Sequence, residues 1–362
     1  MPRSRELAEL ATSYDSGGSL GFRNRIINGD MRIDQRNAGA SVTPAAFSYT
    51  LDRWRYYASQ ASKATVQQNA GSVTPPVGFS NYLGVTSSSA YSVLTNDYFG
   101  VQQFIEGFNF SDMAWGTANA QTVTLSFWVR SSLTGTFGGA LLNSAETRSY
   151  PFSYTISSAN TWEYKTVTIA GDTTGTWIGA TNGIGLKVNF SVGNGSFYSG
   201  TAGAWTGSTA FTATGTVNVV ATNGATFYIT GVQLEAGSVA TPFERRDYGR
   251  ELMMAQRYYA RMTSLSGNYV VFGSGTADST SNYFLYVKYP TTMRATPTVA
   301  QSNTGVYTSA SVFPTSSLGT AYYGSDSAGV NVAVTGTATV GRAGVLCGNN
   351  NASAYIDFAA EL

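Results

Sequence analysis

Strict alternation of apolar and polar residues is the clearest signal in this chain. In VTLSFWVR, residues 123–130, Val123, Leu125, Phe127 and Val129 alternate with Thr124, Ser126, Trp128 and Arg130. GLKVNFSV at 185–192 repeats the pattern, with Leu186, Val188, Phe190 and Val192 against Lys187, Asn189 and Ser191. A period of two predicts strands with one face in a core. WEYKTVTI at 162–169 starts in phase with Trp162 and Tyr164 and then shifts to Val167 and Ile169, which predicts a bulge or a strand buried on both faces. Turn clusters such as SSLTG, AGDTTG, TNG and VGNG separate these runs. Short strands spaced in this way predict an antiparallel sandwich of the jelly-roll type.

The pattern changes once. FYITGVQLEAG at 227–237 reads as a closing strand, and Pro242 ends the strand pattern beyond it. Asp247 is a helix N-cap candidate. From Tyr248 to Met262, Leu252, Ala255, Tyr259 and Met262 recur at three- and four-residue steps, predicting about four helical turns. Strand patterns then return in NYVVFG, NYFLYVKYP, VNVAV and AYIDF. The expected organisation is a larger β-domain over 21–245, a connecting helix over 246–262 and a smaller C-terminal β-sandwich over 263–362. Ahead of these, SRELAELAT sets Leu7, Leu10 and Ala11 on one side of a helix too short to be stable alone, and the Gly/Ser-rich YDSGGSLG comes next. Residues 1–20 therefore read either as an unfolded terminus or as an anchoring peptide that docks on a larger assembly.

Composition narrows the functional classes. The chain has 362 residues, enough for two or three cores, with 21 Lys and Arg against 20 Asp and Glu. At 11% charged residues it lacks the basic stripe that grips a phosphate backbone, so nucleic acid is not expected as a partner. So little charge favours buried contacts between subunits. The 40 Gly, 23 Tyr and 19 Phe suit twisted β-structure rich in turns. There is no histidine, which removes Ser-His-Asp and Cys-His nucleophile systems and His-ligated zinc. The single thiol, Cys347, reads as a small buried hydrophobe in AGVLCG. MPRSRELAEL carries Glu6 and Glu9 where a signal peptide needs an apolar core, and no apolar run reaches membrane-span length. Synthesis in the cytoplasm without membrane insertion is expected.

Several segments together resemble phage tail-fibre and receptor-binding proteins with a jelly roll like that of carbohydrate-binding modules. They are NRIINGDMRIDQRNAG at 24–39, TLSFWVRSSLTGTF at 124–137, NTWEYKTVTIAGDTTGTW at 160–177 and ITGVQLEAGSVATPFERRDYGRELMMAQRYYAR at 229–261, with YPTTMRATPTV and the closing YIDFAAEL after them. The last of the numbered segments is the most specific, and their order covers most of the chain beyond residue 20. The resemblance implies a homotrimeric fibre in the virion, attached by its N-terminal segment to another tail or baseplate protein. Its outer β-domains would meet a host surface glycan or lipopolysaccharide. Leu252, Ala255, Tyr259 and Met262 become the candidate seam between subunits, with packing of the helix on its own jelly roll as the alternative. A head fibre, a capsid-decoration protein or a tail spacer without receptor contact would use the same architecture.

Jelly-roll modules of this kind often hold a structural calcium with an acidic pair near the first and last strands. Asp30 fits the first position but only Glu235 is acidic in TGVQLE, so no metal and no cofactor is expected. Aromatic faces are the natural surface for sugar rings. Trp128 and Trp162 lie in strand patterns and read as core or inter-sheet packing, whereas Trp115, Trp177 and Trp205 fall in loop-like segments and are candidate glycan contacts. In the second domain, Tyr307, Tyr322, Tyr323 and Asp326 lie in a long polar run with interspersed aromatics and are further candidates. A glycan depolymerase would need two carboxylates across a glycosidic bond, for which Asp97, Glu106, Asp112, Glu146, Glu163 and Asp172 are the raw material. No repeat of the parallel β-helix kind is present, and a binder rather than an enzyme is expected.

Overall fold

The computed structural model describes residues 22–265, 269–309 and 311–362. The expected anchor over 1–20, with Leu7, Leu10 and Ala11, lies outside them. The chain divides into two compact units, one running to Arg246 and including Leu362, the other covering Asp247–Glu361.

The first unit is a two-layer antiparallel sandwich. One sheet contains β1 (Tyr49–Leu51), β2 (Trp54–Ala58), β5 (Tyr98–Glu106), β10 (Ile184–Asn194), β7 (Gly135–Leu142) and β8 (Ser149–Ile156), hydrogen-bonded in that order. The other is ordered β3 (Ala64–Gln68), β4 (Leu83–Ser87), β13 (Thr226–Ala236), β6 (Val123–Ser131) and β9 (Glu163–Ile169). A short parallel pair, β11 (Ser199–Gly200) and β12 (Thr212–Ala213), completes it. The chain crosses repeatedly between the sheets, as in a jelly roll. The core between them holds Trp54, Phe99, Phe127, Phe137, Phe190 and Phe227, with the alternating residues of β6 and β10 pointing inward as their pattern predicts.

Two local expectations change. Strand β9 pairs with β6 in unbroken register from Val123↔Ile169 to Val129↔Glu163, so it carries no bulge, and its outward residues alternate with half-buried ones. Trp162 precedes the strand and Tyr164 lies on its outward face, opposite to Val167 and Ile169, which accounts for the apparent phase shift. The outward face of β10 is not open: Lys187, Asn189 and Ser191 are buried together with Tyr57, Ala140 and Leu142. Tyr198 and Phe211, from the stretch between β10 and β13, pack against this cluster.

The second unit begins with α1 (Tyr248–Gln256), capped by the Asp247 carboxylate, which accepts from Arg250 N at 2.9 Å. The helix is nine residues long rather than four turns. Tyr259–Thr263 is a strand, β14, antiparallel to the last strand, so Tyr259 and Met262 do not continue a helical face with Leu252 and Ala255. Tyr and Met at three- and four-residue steps also suit an extended chain, and pairing with Tyr355–Ala359 decides between the two. Ala255 and Tyr259 are buried, while Leu252 and Met262 are partly exposed.

Beyond β14 come β15 (Val271–Ala277), β16 (Asn282–Lys288), β17 (Thr298–Ser302), β18 (Gly305–Tyr307), β19 (Val312–Tyr323), β20 (Ser327–Val334), β21 (Ala343–Cys347) and β22 (Tyr355–Ala359). The all-β class holds here, with the strands closed further than in an open sandwich. Six form a closed barrel in the order β15-β16-β20-β19-β18-β21, and β14, β22 and β17 form a separate three-stranded sheet. Closure comes from β21, which pairs with both β15 and β18 and removes the free edges. Tyr283, Leu285, Val330, Val332, Leu346 and Phe358 fill this core. Cys347 is buried, its thiol pushed up by burial and its Sγ 3.4 Å from Gly305 O.

Candidate functional site: an aromatic cleft on the five-stranded sheet

The side chains of β6 that point away from the core include Ser126 and Trp128. Trp128 stands opposite Tyr164 on β9, with ring centroids 5.4 Å apart at 48°. On the other side, the register of β13 shifts between Thr230 and Gln233, and Gly231 takes φ +61°. Such a bulge twists a strand locally and suits glycine. A Cβ at Gly231 would meet Phe79 Cζ at 2.7 Å and Trp128 Cδ1 at 3.2 Å, so its absence keeps this floor open. Phe79 and Phe243 pack edge to face at 5.2 Å, and the Arg245 guanidinium lies 4.8 Å from the Phe79 centroid and 5.7 Å from that of Phe243. Together with residues 240–242 they bound a cleft of about 590 Å³. That volume falls within the usual range for small-molecule sites, ~300–1,000 Å³.

The hydrogen-bonding state of the tryptophans singles out this cleft. Five of the six donate their indole N–H to a protein acceptor: Trp54 to Asn28 O, Trp115 to Gln121 O, Trp162 to Thr74 O, Trp177 to Asp172 Oδ2 and Thr174 O, and Trp205 to Ala170 O. Among the described residues Trp128 has no such acceptor, and its Cδ1, bonded to that nitrogen, lies at the cleft floor. The Arg245 side chain likewise makes no hydrogen bond or ion pair among the described residues; it packs on the two phenylalanine rings. The cleft thus offers ring faces and two unused donors. Strand alternation had put Trp128 on the polar face with Thr124, Ser126 and Arg130, which was the sequence signal for it; expecting core packing missed it. Gly231, Phe79, Phe243 and Arg245 carry no comparable local signal.

The loop tryptophans converge elsewhere. Trp115, Trp177 and Trp205 meet edge to face, at centroid distances of 4.8 Å, 5.1 Å and 5.5 Å, with Phe110 against Trp115 and Tyr150 against Trp205. Trp115 is only 6% exposed. Asp172 ties the cluster down, accepting from Arg148 Nε at 2.7 Å and Nη2 at 2.8 Å. Burial disfavours its charge, but Arg148 and Thr174 outweigh this and hold the carboxyl below its ordinary range. Trp162 packs on Tyr82 at 5.4 Å, beside Tyr228. In the second unit Tyr322 is 80% exposed and Tyr307 is exposed beside Tyr269. Tyr323 is half-buried with its hydroxyl donating to Gly319 O, and Asp326 accepts from Thr292 Oγ1 at 2.5 Å.

The carboxylates are committed to structural partners. Asp97 binds Ser59, Tyr91 and Leu94 N; Asp112 pairs with Arg25, Glu146 with Lys187, and Glu163 with Lys165 and the Ser157 and Ser158 amides. Glu106 is buried. At the calcium position suggested by the jelly-roll resemblance, Asp30 pairs with Arg32 at 3.2 Å. Glu235 accepts from Thr241 N, Thr241 Oγ1 and Gln233 Nε2, with Arg23 at 3.5 Å. Donors and guanidinium groups surround these oxygens, so the site does not fit a cation that takes six or more oxygen ligands.

No protein-family model and no curated protein matches the chain. Among solved structures, it is similar to the enzymatically active domain of tailspike protein 4 from bacteriophage CBA120, at 12% identity over 59% of this chain and TM-score 0.32. That match spans 21% of the tailspike domain's own length. It is similar to the TmCBM61 module solved with β-1,4-galactotriose, at 14% identity, 59% of this chain, 99% of that one and TM-score 0.29. It is also similar to the CBM22-1 xylan-binding domain of a Paenibacillus barcinonensis protein, at 9% identity, 62% and 100% coverage and TM-score 0.27. At these scores the likenesses do not bear on what this chain binds, and the cleft itself carries that question.

Proposed function

We propose that this chain binds a glycan without performing chemistry on it, seating sugar rings in the cleft between Trp128, Tyr164, Phe79 and Phe243. The observation that carries the reading is the Trp128 indole N–H, without a protein acceptor in an aromatic cleft whose lining includes no carboxylate. Sugar rings present C–H faces to aromatic surfaces and hydroxyl oxygens to free donors. The absence of a carboxylate pair in the cleft lining favours binding over hydrolysis.

The proposed setting is a homotrimeric tail fibre of a phage virion, in which residues 1–20 attach to another tail or baseplate protein and the β-units contact host glycan or lipopolysaccharide. The order of the fibre-like segments along the chain supports this setting. Exposed Tyr322 and Tyr307 offer a second contact surface. Repeated copies would make weak sites effective, since linked binding can exceed single-site affinity by roughly 10²–10⁴. The test is competition: purified protein should block adsorption of whole phage to host cells, and a Trp128→Ala variant of unchanged melting temperature should not. Equal competition by the variant refutes the cleft; release of reducing sugar refutes the non-catalytic reading.

A further inference from the structure

The six-stranded sheet carries a second pocket, of about 330 Å³, on the other layer of the sandwich from the Trp128 cleft. Arg55 of β2 points into it. Its guanidinium carbon lies 4.8 Å from the Phe47 ring centroid and 5.1 Å from that of Phe104, which brackets the side chain between two aromatic faces. Its Nε is buried and makes no hydrogen bond, and the side chain forms no ion pair among the described residues. Beside it, Gln102 of β5 lines the same pocket at 5% exposure, and its side-chain amide has no hydrogen-bond partner among the described residues. The other charged side chains of the lining pair with each other: Lys187 Nζ is 2.6 Å from Glu146 Oε1. Leu362 also lines the pocket, its main-chain oxygen accepting from Tyr49 Oη at 3.0 Å, and Arg55 is the lining cation that has no carboxylate within ion-pair distance among the described residues.

A half-buried guanidinium fixed by ring stacking, next to an unused amide, matches a planar anion and neighbouring hydroxyls. We propose that this pocket receives an acidic sugar of the uronate type, its carboxylate on Arg55 and a ring hydroxyl or ring oxygen on Gln102. The flanking rings supply the stacking surface, and the small volume limits occupancy to a short, terminal part of a glycan. The site is separate from the Trp128 cleft and stands or falls independently of it.

The test titrates the full chain with methyl galacturonoside and methyl glucuronoside, with the corresponding neutral methyl galactoside and glucoside, and with sodium acetate and sodium sulfate. Calorimetry and the ¹⁵N shift of the arginine Nε–H groups give the readouts. A uronoside should bind about tenfold or more tightly than its neutral counterpart, the scale expected for a hydrogen bond to a charged group. Arg55→Gln should remove the preference and Arg55→Lys should keep only part of it. Trp128→Ala and Arg245→Gln should leave it intact. Circular dichroism establishes that each variant folds, and the wild-type comparison of acidic with neutral sugar needs no variant. Equal binding of the two sugars, binding of neither, acetate or sulfate as tight as the uronoside, or a preference that survives Arg55→Gln or vanishes in Arg245→Gln would each overturn the proposal.

Discussion

Trp128 and Tyr164 occupy directly opposed positions on neighbouring antiparallel strands, and both turn their rings away from the core. Their contact builds a surface without filling the interior. Replacing Trp128 with Ala should therefore lower glycan retention at least tenfold while costing less stability than loss of a core aromatic, because the half-buried ring packs on Tyr164 at the sheet surface and not between the sheets. Affinity electrophoresis of both forms in a gel containing host polysaccharide, beside thermal melts, checks the pair of outcomes. A large loss of stability with unchanged retention would assign Trp128 to the core after all.

Gly231 makes a complementary case. Alanine there would need φ +61° and would place a methyl 2.7 Å from Phe79 Cζ. The backbone strain alone costs about 1–3 kcal/mol. Gly231→Ala should both destabilise the first unit and narrow the cleft, and denaturant titration with parallel binding assays reads the two effects.

Trp115 should behave in the opposite way to Trp128. It is buried under Trp177 and Trp205, and Trp115→Ala should cost about 3–5 kcal/mol with no direct change at the Trp128 cleft. Urea unfolding supplies the measurement, and ligand affinity of the remaining folded fraction supplies the control.

The Asp172–Arg148 pair that pins this cluster makes part of its stability dependent on pH. The folded carboxyl is held below its ordinary value, so its contribution is present in full above the unfolded pKa of about 4 and is lost as pH falls through the lower folded value. Wild type should lose stability on acidification below about pH 4 more steeply than Asp172→Asn, which is weaker at neutral pH and flatter in acid. Thermal melts between neutral and acidic pH distinguish the slopes. Asp97, held low by Leu94 N, Ser59 and Tyr91 against its burial, contributes in the same direction, so the acid transition of the variant is reduced rather than abolished.

Much of the first unit was legible because its strands obey period two over eight or more residues, as β6 and β10 do, and because Asp247 is an N-cap by residue type and position. What was illegible depends on partners distant in sequence. RYYARMT satisfies a helical and an extended spacing alike, and only pairing with Tyr355–Ala359 selects the strand. The barrel closes because β21 pairs with β15 and β18, neither adjacent to it in sequence. Trp115, Trp177 and Trp205 come from three separated segments, so no local pattern announces that they protect one another's faces. The Arg55 pocket obeys the same logic, since Arg55 of β2, Lys187 of β10 and Glu146 between β7 and β8 come together only after the sheet forms.

Arg246 ties the first and last segments of the sandwich. Its guanidinium donates to Asn24 O and Ile26 O and pairs with Glu244 at 3.0 Å, while Glu244 accepts from Asn24 N at 2.7 Å. The Arg246 side chain is 3% exposed, so removing it strands a carboxylate and two carbonyls in a dry site. Arg246→Ala should cost about 3–5 kcal/mol, the scale for breaking a buried ion pair from one side. A fragment ending at residue 240 should fail to fold, since it also loses Glu244 and the Thr241 contacts to Glu235. Circular dichroism and proteolysis of the 22–240 and 22–246 fragments check this.

Of the four residues that spacing suggested for a seam in the proposed trimer, Leu252 and Met262 are partly exposed and Ala255 and Tyr259 are not. Ala255 and Tyr259 are already buried in the single chain, and Tyr259 donates its hydroxyl to Asp357 Oδ2 at 2.8 Å. On the same helix, Met253 is 52% exposed and Tyr248 is 55% exposed, and they form the apolar part of α1 left facing water. A self-associating fibre would cover such residues. Light scattering of the full chain should give three times the monomer mass, and Met253→Glu should reduce it to one, because a charge in a subunit contact must be desolvated without a partner. Ala255→Glu should instead unfold the second unit, since its side chain has no route to solvent. A trimer that tolerates Met253→Glu would exclude this helix from the seam, and a single-chain mass for the wild type would remove the trimer itself.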